Sequence, residues 1–383
     1  MPARILDGKS IAREIRREVR LDVAALAART GAAPCLATVL VGNDPASTTY
    51  VRNKVKACEE VGIVSVRIDL PADLSEASLL REIDRLNNDP SVHAILVQLP
   101  LPPHISEQRV LEAVLPSKDV DGFHPSNLGG LLVGSPLFVA STPLGILELL
   151  TRSNVTIEGK RAVIVGWSVV VGKPTAFLLL QHHATVTICH IKTHDLPFYT
   201  RQADILVVAA GKPALVTGPM VKEGAVVIDV GVNRLSDGRL VGDVAFQEVA
   251  ERASLITPVP GGVGPMTVAM LLKNTVVAYR RACGAADSGG LGSLSEADRE
   301  EAEPPLLSKE EAIAEVNRWI EQHKIDPNQI FARTGELIVR YGDLIPHLEQ
   351  ETDEGRLLLR AISRGQVIRH QRSFPGAEGG RQQ

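Results

Sequence analysis

Short apolar segments rich in β-branched residues alternate with helical patterns from about residue 5 to residue 280. Several segments are almost continuously apolar, as strands are in a parallel sheet that helices cover on both faces. The stretches between them suit crossover helices, so the predicted fold class is α/β. The predicted strands are Leu36–Val41, Val64–Leu70, Ala94–Leu99, Ala162–Val165, Thr185–Cys189, Ile205–Ala209 and Val226–Val230.

The loop-rich segment 122–146 separates the first three predicted strands from the later four. We therefore expect two α/β domains. The first covers 1–140 and is completed by a helix at about 265–283. The second covers 141–264 and is predicted to be a Rossmann-like, doubly wound parallel sheet.

The character of the chain changes after residue 283. Segment 284–307 is small, polar and acidic, which predicts a flexible linker. A C-terminal extension over 308–375 is predicted to be a small, mostly helical module without catalytic groups. Its first helix follows the capping box Ser308-Lys-Glu-Glu311 and has apolar residues at helical spacing.

Two further helices are predicted in the extension. Asp326-Pro327 is an N-cap followed by proline, which predicts a second helix with Ile330, Thr334, Leu337 and Tyr341 on one face. Thr352-Asp353 predicts the start of a third helix.

Net charge and cysteine spacing argue against binding of nucleic acid, of an anionic membrane or of a metal ion. A net charge of −4 provides no basic field for nucleic acid or an anionic membrane. The 4 cysteines show neither disulfide nor metal-ligand spacing, so we predict no metal site and a reducing compartment. The N-terminus lacks the apolar core of a signal peptide, and the uncharged stretches are broken by proline and glycine. We expect a cytoplasmic protein.

Tyr50 and Lys54 are four residues apart and would share a helix face, where a ring could stack on a planar ligand beside an amine. Gln98 ends an apolar strand, where ligands of open α/β folds bind. Asp121 could accept paired N–H bonds from an aminopyrimidine ring. Each segment also has a purely structural interpretation. The Tyr50 and Lys54 segment could be a surface helix with solvated lysines, the Gln98 segment a rigid proline turn, and the Asp121 segment an Asx-turn.

Two loops carry a backbone pattern typical of ligand binding. In Ala162-Val-Ile-Val-Gly166-Trp167-Ser168, a strand ends in glycine, and a helix is predicted near Gly172, as in phosphate-binding turns. The segment 256–267 combines prolines and glycines, which allow a ligand to approach the backbone closely. A plain turn and a structural loop are the alternatives.

Five motifs together resemble the bifunctional methylenetetrahydrofolate dehydrogenase/methenyltetrahydrofolate cyclohydrolase family. They are GNDPASTTYVRNKVKACEEVGI, VQLPLPPHI, KDVDGFHPSNLGGL, GKRAVIVGWSVVVGKP and TPVPGGVGPMT, and they follow in order over about residues 3–280. The last hundred residues are not covered. The resemblance implies oxidation of methylenetetrahydrofolate with a nicotinamide cofactor, hydrolysis of the methenyl product to 10-formyltetrahydrofolate, and a homodimer. It also implies a supply of one-carbon units to purine and methionine biosynthesis.

The resemblance also implies a set of site residues. Tyr50 would stack on the folate, Lys54 would be the catalytic lysine with Gln98 supporting it, and Asp121 would hold the pteridine ring. The loop facing the folate would contain Pro260, Gly261 and Gly262, and the cofactor contacts would be Gly166, Trp167, Ser168, Ile191 and Val232.

Two residues depart from the family pattern. Trp167 stands where the family has arginine, and Ile191 where it has serine; in the family those two anchor the 2′-phosphate of NADP. An acidic residue after the second nucleotide-domain strand would favour NAD, and this chain has none there. Three side chains nearby can carry positive charge: Lys173, His190 and Lys192. We expect NADP on family grounds, with NAD as the alternative.

Three hypotheses follow. The first is a bifunctional enzyme acting on tetrahydrofolate derivatives. The second is a cyclohydrolase whose dehydrogenase activity is weak or uses NAD. The third is a non-catalytic folate- or nucleotide-binding regulatory protein whose C-terminal module recruits a protein partner; the joint presence of Tyr50, Lys54, Gln98 and Asp121 argues against it.

Overall fold

The computed structural model describes residues 3–284, 308–323, 326, 330–334, 337–349 and 359. The chain divides into two compact units, Met1–Ser293 and Leu294–Gln383. Among the helices of the described residues, none combines the length and apolarity needed to cross a bilayer.

The first unit alternates strands and helices. Its strands are β1 (Arg4–Ile5), β2 (Cys35–Val41), β3 (Val64–Leu70), β4 (Ala94–Val97), β5 (Arg161–Val165), β6 (Thr185–Cys189), β7 (Ile205–Val208), β8 (Val226–Asp229), β9 (Asn233–Arg234), β10 (Leu240–Val241) and β11 (Leu255–Ile256). Its helices are α1 (Gly8–Thr30), α2 (Pro45–Val61), α3 (Glu76–Asn88), α4 (Glu107–Ala113), α5 (Pro125–Val133), α6 (Ser141–Arg152), α7 (Gly172–Gln181), α8 (Leu196–Thr200), α9 (Phe246–Ala250) and α10 (Val263–Ala282).

A three-stranded sheet with the order β3-β2-β4 is parallel throughout. All residues of the central strand β2 are buried, which explains why each of them except Thr38 is apolar. Helices α1, α2 and α10 pack against one another, and α10 also contacts β2 and β4. The carboxyl ends of the three strands therefore lie together at one edge of a covered sheet.

A six-stranded sheet has the order β1-β11-β8-β7-β5-β6, and all its neighbours are parallel. The chain moves from β5 outward to β6 and then returns to the other side of β5 for β7. This reversal is the topological switch point at which nucleotide-binding sheets hold their ligand. The predicted α/β class with a Rossmann-like parallel sheet is confirmed.

All seven predicted strands are present; two have the predicted bounds, and the other five differ at one end by one or two residues. The prediction extended β4 to Leu99, but the strand ends at Val97, and the Gln98 N–H makes one further bond to the Val39 carbonyl at 2.9 Å. Strands β1, β9, β10 and β11 were not predicted, since two-residue strands carry no readable periodicity. Strand β1 pairs with β11, so the N-terminus of the chain joins the second sheet.

The first helix among the described residues of the second unit is α11 (Lys309–His323), as predicted. The Ser308 hydroxyl accepts a bond from the Glu311 N–H at 3.2 Å, and the Glu311 carboxylate accepts one from the Ser308 N–H at 2.8 Å. This reciprocal pair is the predicted capping box. A small core joins α11 to α12 (Leu344–Glu349) and contains Ala312, Val316, Leu344 and Leu348.

The predicted second helix of this unit is wrong. Its residues form β12 (Ile330–Thr334) and β13 (Leu337–Arg340), an antiparallel pair. Both runs are rich in β-branched and apolar residues with a glycine between them, and such short runs fit a strand as well as a helix. The extension is therefore a mixed module. The predicted linker beyond Gly284 and the start of the third predicted helix lie outside the described residues.

Candidate active site in the first unit

Lys54 and Gln98 meet at the carboxyl edge of the three-stranded sheet. Helix α2 follows β2 after a short loop and is capped by Asp44, whose carboxylate accepts a bond from the Ser47 N–H at 2.7 Å. This helix carries Lys54 to the end of β4, where its Nζ donates a hydrogen bond to Gln98 Oε1 at 3.0 Å. Tyr50 lies one turn earlier on the same helix and is 49% exposed.

Asp121 reaches this cluster because the segment before it runs beside β4. The Ile95 N–H donates to the Lys118 carbonyl at 2.8 Å, and Ile95 and Asp119 form a parallel bridge. This pairing brings Asp121 to the same edge of the sheet as Gln98. The structure thus assembles the predicted lysine, glutamine and carboxylate from three separate chain segments.

The charges in this cluster are desolvated. Lys54 is only 9% exposed, and this burial lowers the pKa of its amine, while the charge of Asp121 partly opposes the shift. Burial raises the pKa of Asp121, and Lys54 partly opposes that shift in turn. A lysine with a lowered pKa exchanges protons closer to neutral pH, which is what acid–base chemistry requires.

Two buried polar residues that the sequence analysis did not identify hold the Asp121 segment. Asn274 of α10 donates hydrogen bonds to the carbonyls of Val120, at 2.7 Å, and Val139, at 3.0 Å. The Asp119 carboxylate accepts bonds from Asn127 Nδ2 and the His124 N–H, each at 2.8 Å. Asn and Asp are ordinary turn residues, so their sequence context gave no signal of this role.

A cleft of about 980 Å³ opens beside Tyr50. Its wall includes Tyr50, Val232, Pro260, Gly261 and Gly262, which were all predicted as ligand contacts. It also includes several residues that were not predicted, among them Lys9, Asp44, Asn53, Asp229 and Arg234. Lys54 stands one helical turn from Tyr50 on α2, and the lining residues of the cleft do not include Lys54, Gln98 or Asp121.

The glycine-rich loop packs tightly enough to require small residues. A Cβ on Gly262 would collide with the carbonyl of Pro258 and the side chain of Thr257. A Cβ on Gly8, at the start of α1, would collide in turn with the carbonyl of Gly262. Gly261 adopts a φ of 119°, which side chains of L-residues rarely allow. The loop therefore offers bare backbone to the cleft.

The turn after β5 has the geometry expected of a phosphate-binding turn. Gly166 has a φ of 132°, and a Cβ there would collide with the Ala209 carbonyl at the end of β7. Ser168 Oγ accepts bonds from the N–H groups of Val171, at 3.1 Å, and Gly172, at 3.4 Å, where α7 begins. Close backbone approach at a helix N-terminus fits a dinucleotide.

Trp167 and Ile191 form an exposed surface at the ends of β5 and β6. Trp167 is 58% exposed and Ile191 92% exposed. The Trp167 ring lies 5.6 Å from the His190 ring, and Lys173 Nζ lies 5.2 Å from the Trp167 ring centroid. Trp167 thus lies beside the side chains of His190 and Lys173, and neither Trp167 nor Ile191 is among the residues that line the cleft.

Asp229, at the end of β8, is a further buried carboxylate that was not predicted. It accepts bonds from the N–H groups of Gly231 at 3.0 Å, Asp243 at 2.9 Å and Val244 at 3.1 Å. Burial raises its pKa to about 6 even with these donors present. These bonds fix the turn that presents Val232 to the cleft.

Comparisons with known proteins agree with this geometry. The model of the tetrahydrofolate dehydrogenase/cyclohydrolase catalytic domain matches residues 6–121, and that of the NAD(P)-binding domain of the same family matches residues 140–283. Bifunctional protein FolD of Moorella thermoacetica is 60% identical over 281 residues, which cover 73% of this chain and 100% of the relative.

Solved structures are similar in the same region. The FolD methylenetetrahydrofolate dehydrogenase/cyclohydrolase of Campylobacter jejuni is 53% identical with a TM-score of 0.72, covering 73% of this chain and 99% of its own. The Trypanosoma brucei FolD, solved with NADP and an inhibitor, is 43% identical with a TM-score of 0.72, covering 74% and 99%. The chain therefore belongs to the tetrahydrofolate dehydrogenase/cyclohydrolase family and is a methylenetetrahydrofolate dehydrogenase and methenyltetrahydrofolate cyclohydrolase.

Proposed function

We propose that both reactions take place at one site, in which Lys54 is the proton carrier, Gln98 orients it, Asp121 binds the pteridine ring and Tyr50 stacks on the folate. The observation that carries this proposal is the 3.0 Å bond between Lys54 Nζ and Gln98 Oε1 in a buried cluster one turn from Tyr50. The bare backbone of Pro260, Gly261 and Gly262 forms the facing wall.

The oxidation step needs alignment more than proton transfer. The N5 and N10 lone pairs of methylenetetrahydrofolate expel a hydride from the bridging carbon and leave a delocalised cation. The bound nicotinamide cofactor supplies the hydride acceptor. Tyr50 and Asp121 hold the folate, and the residues proposed for the cofactor are Gly166, Trp167, Ser168, Ile191 and Val232.

The hydrolysis step needs a proton carrier. Water attacks the methenyl carbon, and the neutral Lys54 Nζ takes a proton from that water. The same amine returns a proton to N5 as the C–N5 bond breaks, and the hydroxyl proton of the adduct goes to solvent, which leaves 10-formyltetrahydrofolate. Burial supports this role because it lowers the pKa of Lys54.

We further propose NADP as the cofactor, since the Trypanosoma brucei relative was solved with it. NAD remains the alternative because Trp167 and Ile191 replace the 2′-phosphate anchors. The domain division is also a proposal, with a folate-binding domain at 1–140 plus the helix at 265–283 and a nucleotide domain at 141–264. The packing of α10 on α1 and α2 supports it.

The cellular setting is proposed in the same way. A cytoplasmic homodimer that supplies one-carbon units for purine and methionine biosynthesis fits the family. Strand β3 is an edge strand with Val64 50% exposed and Val66 37% exposed, which is suitable for self-association. The C-terminal module would bind a protein partner.

One assay tests the proposed function. The purified full chain is given methylenetetrahydrofolate with NADP or NAD, and formation of the methenyl compound is followed. Its hydrolysis is followed in a separate reaction with supplied methenyltetrahydrofolate. Both steps should occur with NADP. Hydrolysis with weak oxidation, or with oxidation only by NAD, would favour the second hypothesis, a cyclohydrolase whose dehydrogenase activity is weak or uses NAD. The absence of both activities would contradict the proposal.

A further inference from the structure

Two buried carboxylates, those of Asp229 and Asp243, lie side by side near the loops that follow β7 and β8. Asp229 ends β8 and is 2% exposed, and Asp243 follows β10 and is fully buried. The Asp243 N–H donates to Asp229 Oδ1 at 2.9 Å, which joins the two segments directly. Among the ion pairs within residues 3–284, none includes either carboxylate. Both carboxylates therefore depend on N–H donors to offset the cost of their burial.

Asp243 connects the loop after β7 to the β9–β10 hairpin. Its Oδ2 accepts bonds from the N–H groups of Ala210, at 2.7 Å, and Gly211, at 2.8 Å. Its Oδ1 accepts a bond from Asn233 Nδ2, at the start of β9, at 2.8 Å. The backbone continues the same connection, because the Val216 N–H donates to the Asp243 carbonyl at 3.1 Å. One side chain thus fixes two loops that are far apart in sequence.

Each carboxylate also packs over a glycine of the other segment. A Cβ on Gly231 would collide with the Asp243 carboxylate, and a Cβ on Gly242 would collide with the Asp229 carboxylate. Burial, and to a lesser extent the charge of Asp243, raises the pKa of Asp229 to about 6, as expected for two carboxylates held close together. The carboxylate pair therefore fixes both the loop after β7 and the turn that leads to Val232.

The sheet order places this pair under the proposed path of the cofactor. The phosphate-binding turn at Gly166 follows β5, and Trp167 extends from it beside β6. On the other side of β5 the order continues to β7 and β8, and Val232 lines the cleft opposite Tyr50. A dinucleotide with its phosphates at Gly166 and its adenine at Trp167 would extend its nicotinamide half across the ends of β7 and β8, toward the folate.

We propose that Asp243 and Asp229 are positioning residues for hydride transfer, which hold the two loops against which the nicotinamide lies. This inference rests on the proposed cofactor contacts at Gly166 and Val232. Hydride transfer depends on alignment, and a displacement of about 1 Å can cost on the order of 10²-fold in rate. Hydrolysis of the methenyl compound needs no nicotinamide. The pair therefore serves the oxidation step and leaves the hydrolysis step to the Lys54 cluster.

The test measures both activities in Asp243 variants of the full chain. Asp243→Ala leaves the N–H groups of Ala210 and Gly211 without their acceptor. Its kcat for oxidation with NADP should fall roughly ten- to hundredfold, while the folate KM and the hydrolysis of supplied methenyltetrahydrofolate stay within about threefold. Asp243→Asn keeps an oxygen for both N–H groups, once the Asn233 amide turns its own oxygen toward the new amide, and should restore most of the oxidation rate.

Asp204→Ala is the matched control for loss of a carboxylate that bonds to the backbone. Asp204 accepts the Arg161 N–H at 2.9 Å, but it lies at the amino ends of β5 and β7, the opposite edge of the same sheet. Its replacement should lower the thermal unfolding midpoint and leave the ratio of oxidation to hydrolysis unchanged. A purely structural role for Asp243 would give this same result.

Three outcomes would overturn the inference. Asp243→Ala could lower oxidation and hydrolysis alike, it could leave oxidation unchanged, or Asp243→Asn could lose as much oxidation as Asp243→Ala. Val232→Phe tests the proposed cofactor contact separately, because it puts a bulky ring where the nicotinamide would lie, and it should lower kcat/KM for the cofactor. Unchanged oxidation in Val232→Phe would contradict that contact, whereas a loss in Val232→Phe without a loss in Asp243→Ala would contradict only the role of the carboxylates.

Discussion

The Lys54 cluster and the Trp167 surface both lie at the carboxyl ends of parallel strands, but they differ in burial. Lys54 is 9% exposed and bonded to Gln98, while Ile191 is 92% exposed. In the buried cluster, removing one partner leaves a desolvated charge without compensation, which costs several kcal/mol, about 3–5 in measured cases. An exposed ion pair between two protein side chains contributes about 1 kcal/mol or less to stability.

This difference accounts for where the chain follows the family pattern. Every predicted member of the buried cluster is present and in place, and both departures fall on the exposed surface. A tryptophan can replace an arginine there because the site loses only ligand contacts, with no buried charge left behind. We infer that the buried cluster determines the chemistry and that the exposed surface determines which nucleotide is used.

Replacing Lys54 with methionine should have the largest effect. Lys54→Met removes the proposed proton carrier but keeps an apolar side chain of similar length, so hydrolysis of the methenyl compound should fall roughly 10²- to 10⁴-fold. Hydrolysis of supplied methenyltetrahydrofolate, followed by absorbance, measures this. Lys56→Met is the matched control on the same helix. Wild-type hydrolysis by a folded Lys54→Met variant would show that another group carries the proton.

The exposed surface gives the second prediction. Trp167→Arg with Ile191→Ser should raise the NADP/NAD ratio of kcat/KM about tenfold to a hundredfold, because a phosphate–arginine contact contributes about 1.5–3 kcal/mol. Steady-state kinetics with each nucleotide measure the ratio. A ratio within about twofold of the wild type would mean that Lys173, His190 and Lys192 already bind the phosphate and that Trp167 is a packing residue.

Asp121 should affect binding more than turnover. Asp121→Ala removes the proposed ring acceptor, which would bind the ring in the ground state and the transition state alike, so the folate KM should rise about tenfold. Asp69→Ala, on the exposed side of β3, is the matched control. An unchanged KM in a folded Asp121 variant would rule out the ring contact.

The pH profile gives the smallest predicted effect. Hydrolysis should increase with pH as the Lys54 amine loses its proton, and burial places this rise below the ordinary lysine pKa. The negative charge of Asp121 raises the pKa of Lys54, so Asp121→Asn should move the rise to lower pH. A shift to higher pH would contradict the assigned charge coupling.

The sequence predicted secondary structure best where one short segment contained the complete pattern of a strand or of a helix start. The apolar runs of β2 and β8 predicted parallel strands, and the capping box at Ser308 predicted the start of α11. The short apolar run at 330–340 fits two periodicities, which is why a hairpin was taken for a helix.

The candidate site was only partly predictable for a related reason. Motif matches placed Tyr50, Lys54, Gln98 and Asp121. The sequence did not predict the residues that support this cluster and line the cleft, because their roles depend on contacts between distant segments. Asn274 bonds to carbonyls more than 130 residues away, and Lys9 reaches the cleft only because α1 packs on the loop at Gly262. Single-sequence patterns do not encode such contacts.

The most direct test of the central claim measures two half-reactions on two variants. Hydride transfer with NADP and NAD, and hydrolysis of supplied methenyltetrahydrofolate, are measured for Lys54→Met and for Trp167→Arg with Ile191→Ser. Lys54→Met should lose hydrolysis while hydride transfer remains within about tenfold of the wild type. The surface variant should change only its nucleotide preference, with hydrolysis within about twofold. Loss of hydrolysis in the surface variant, or its survival in Lys54→Met, would contradict the division between buried chemistry and exposed cofactor selection.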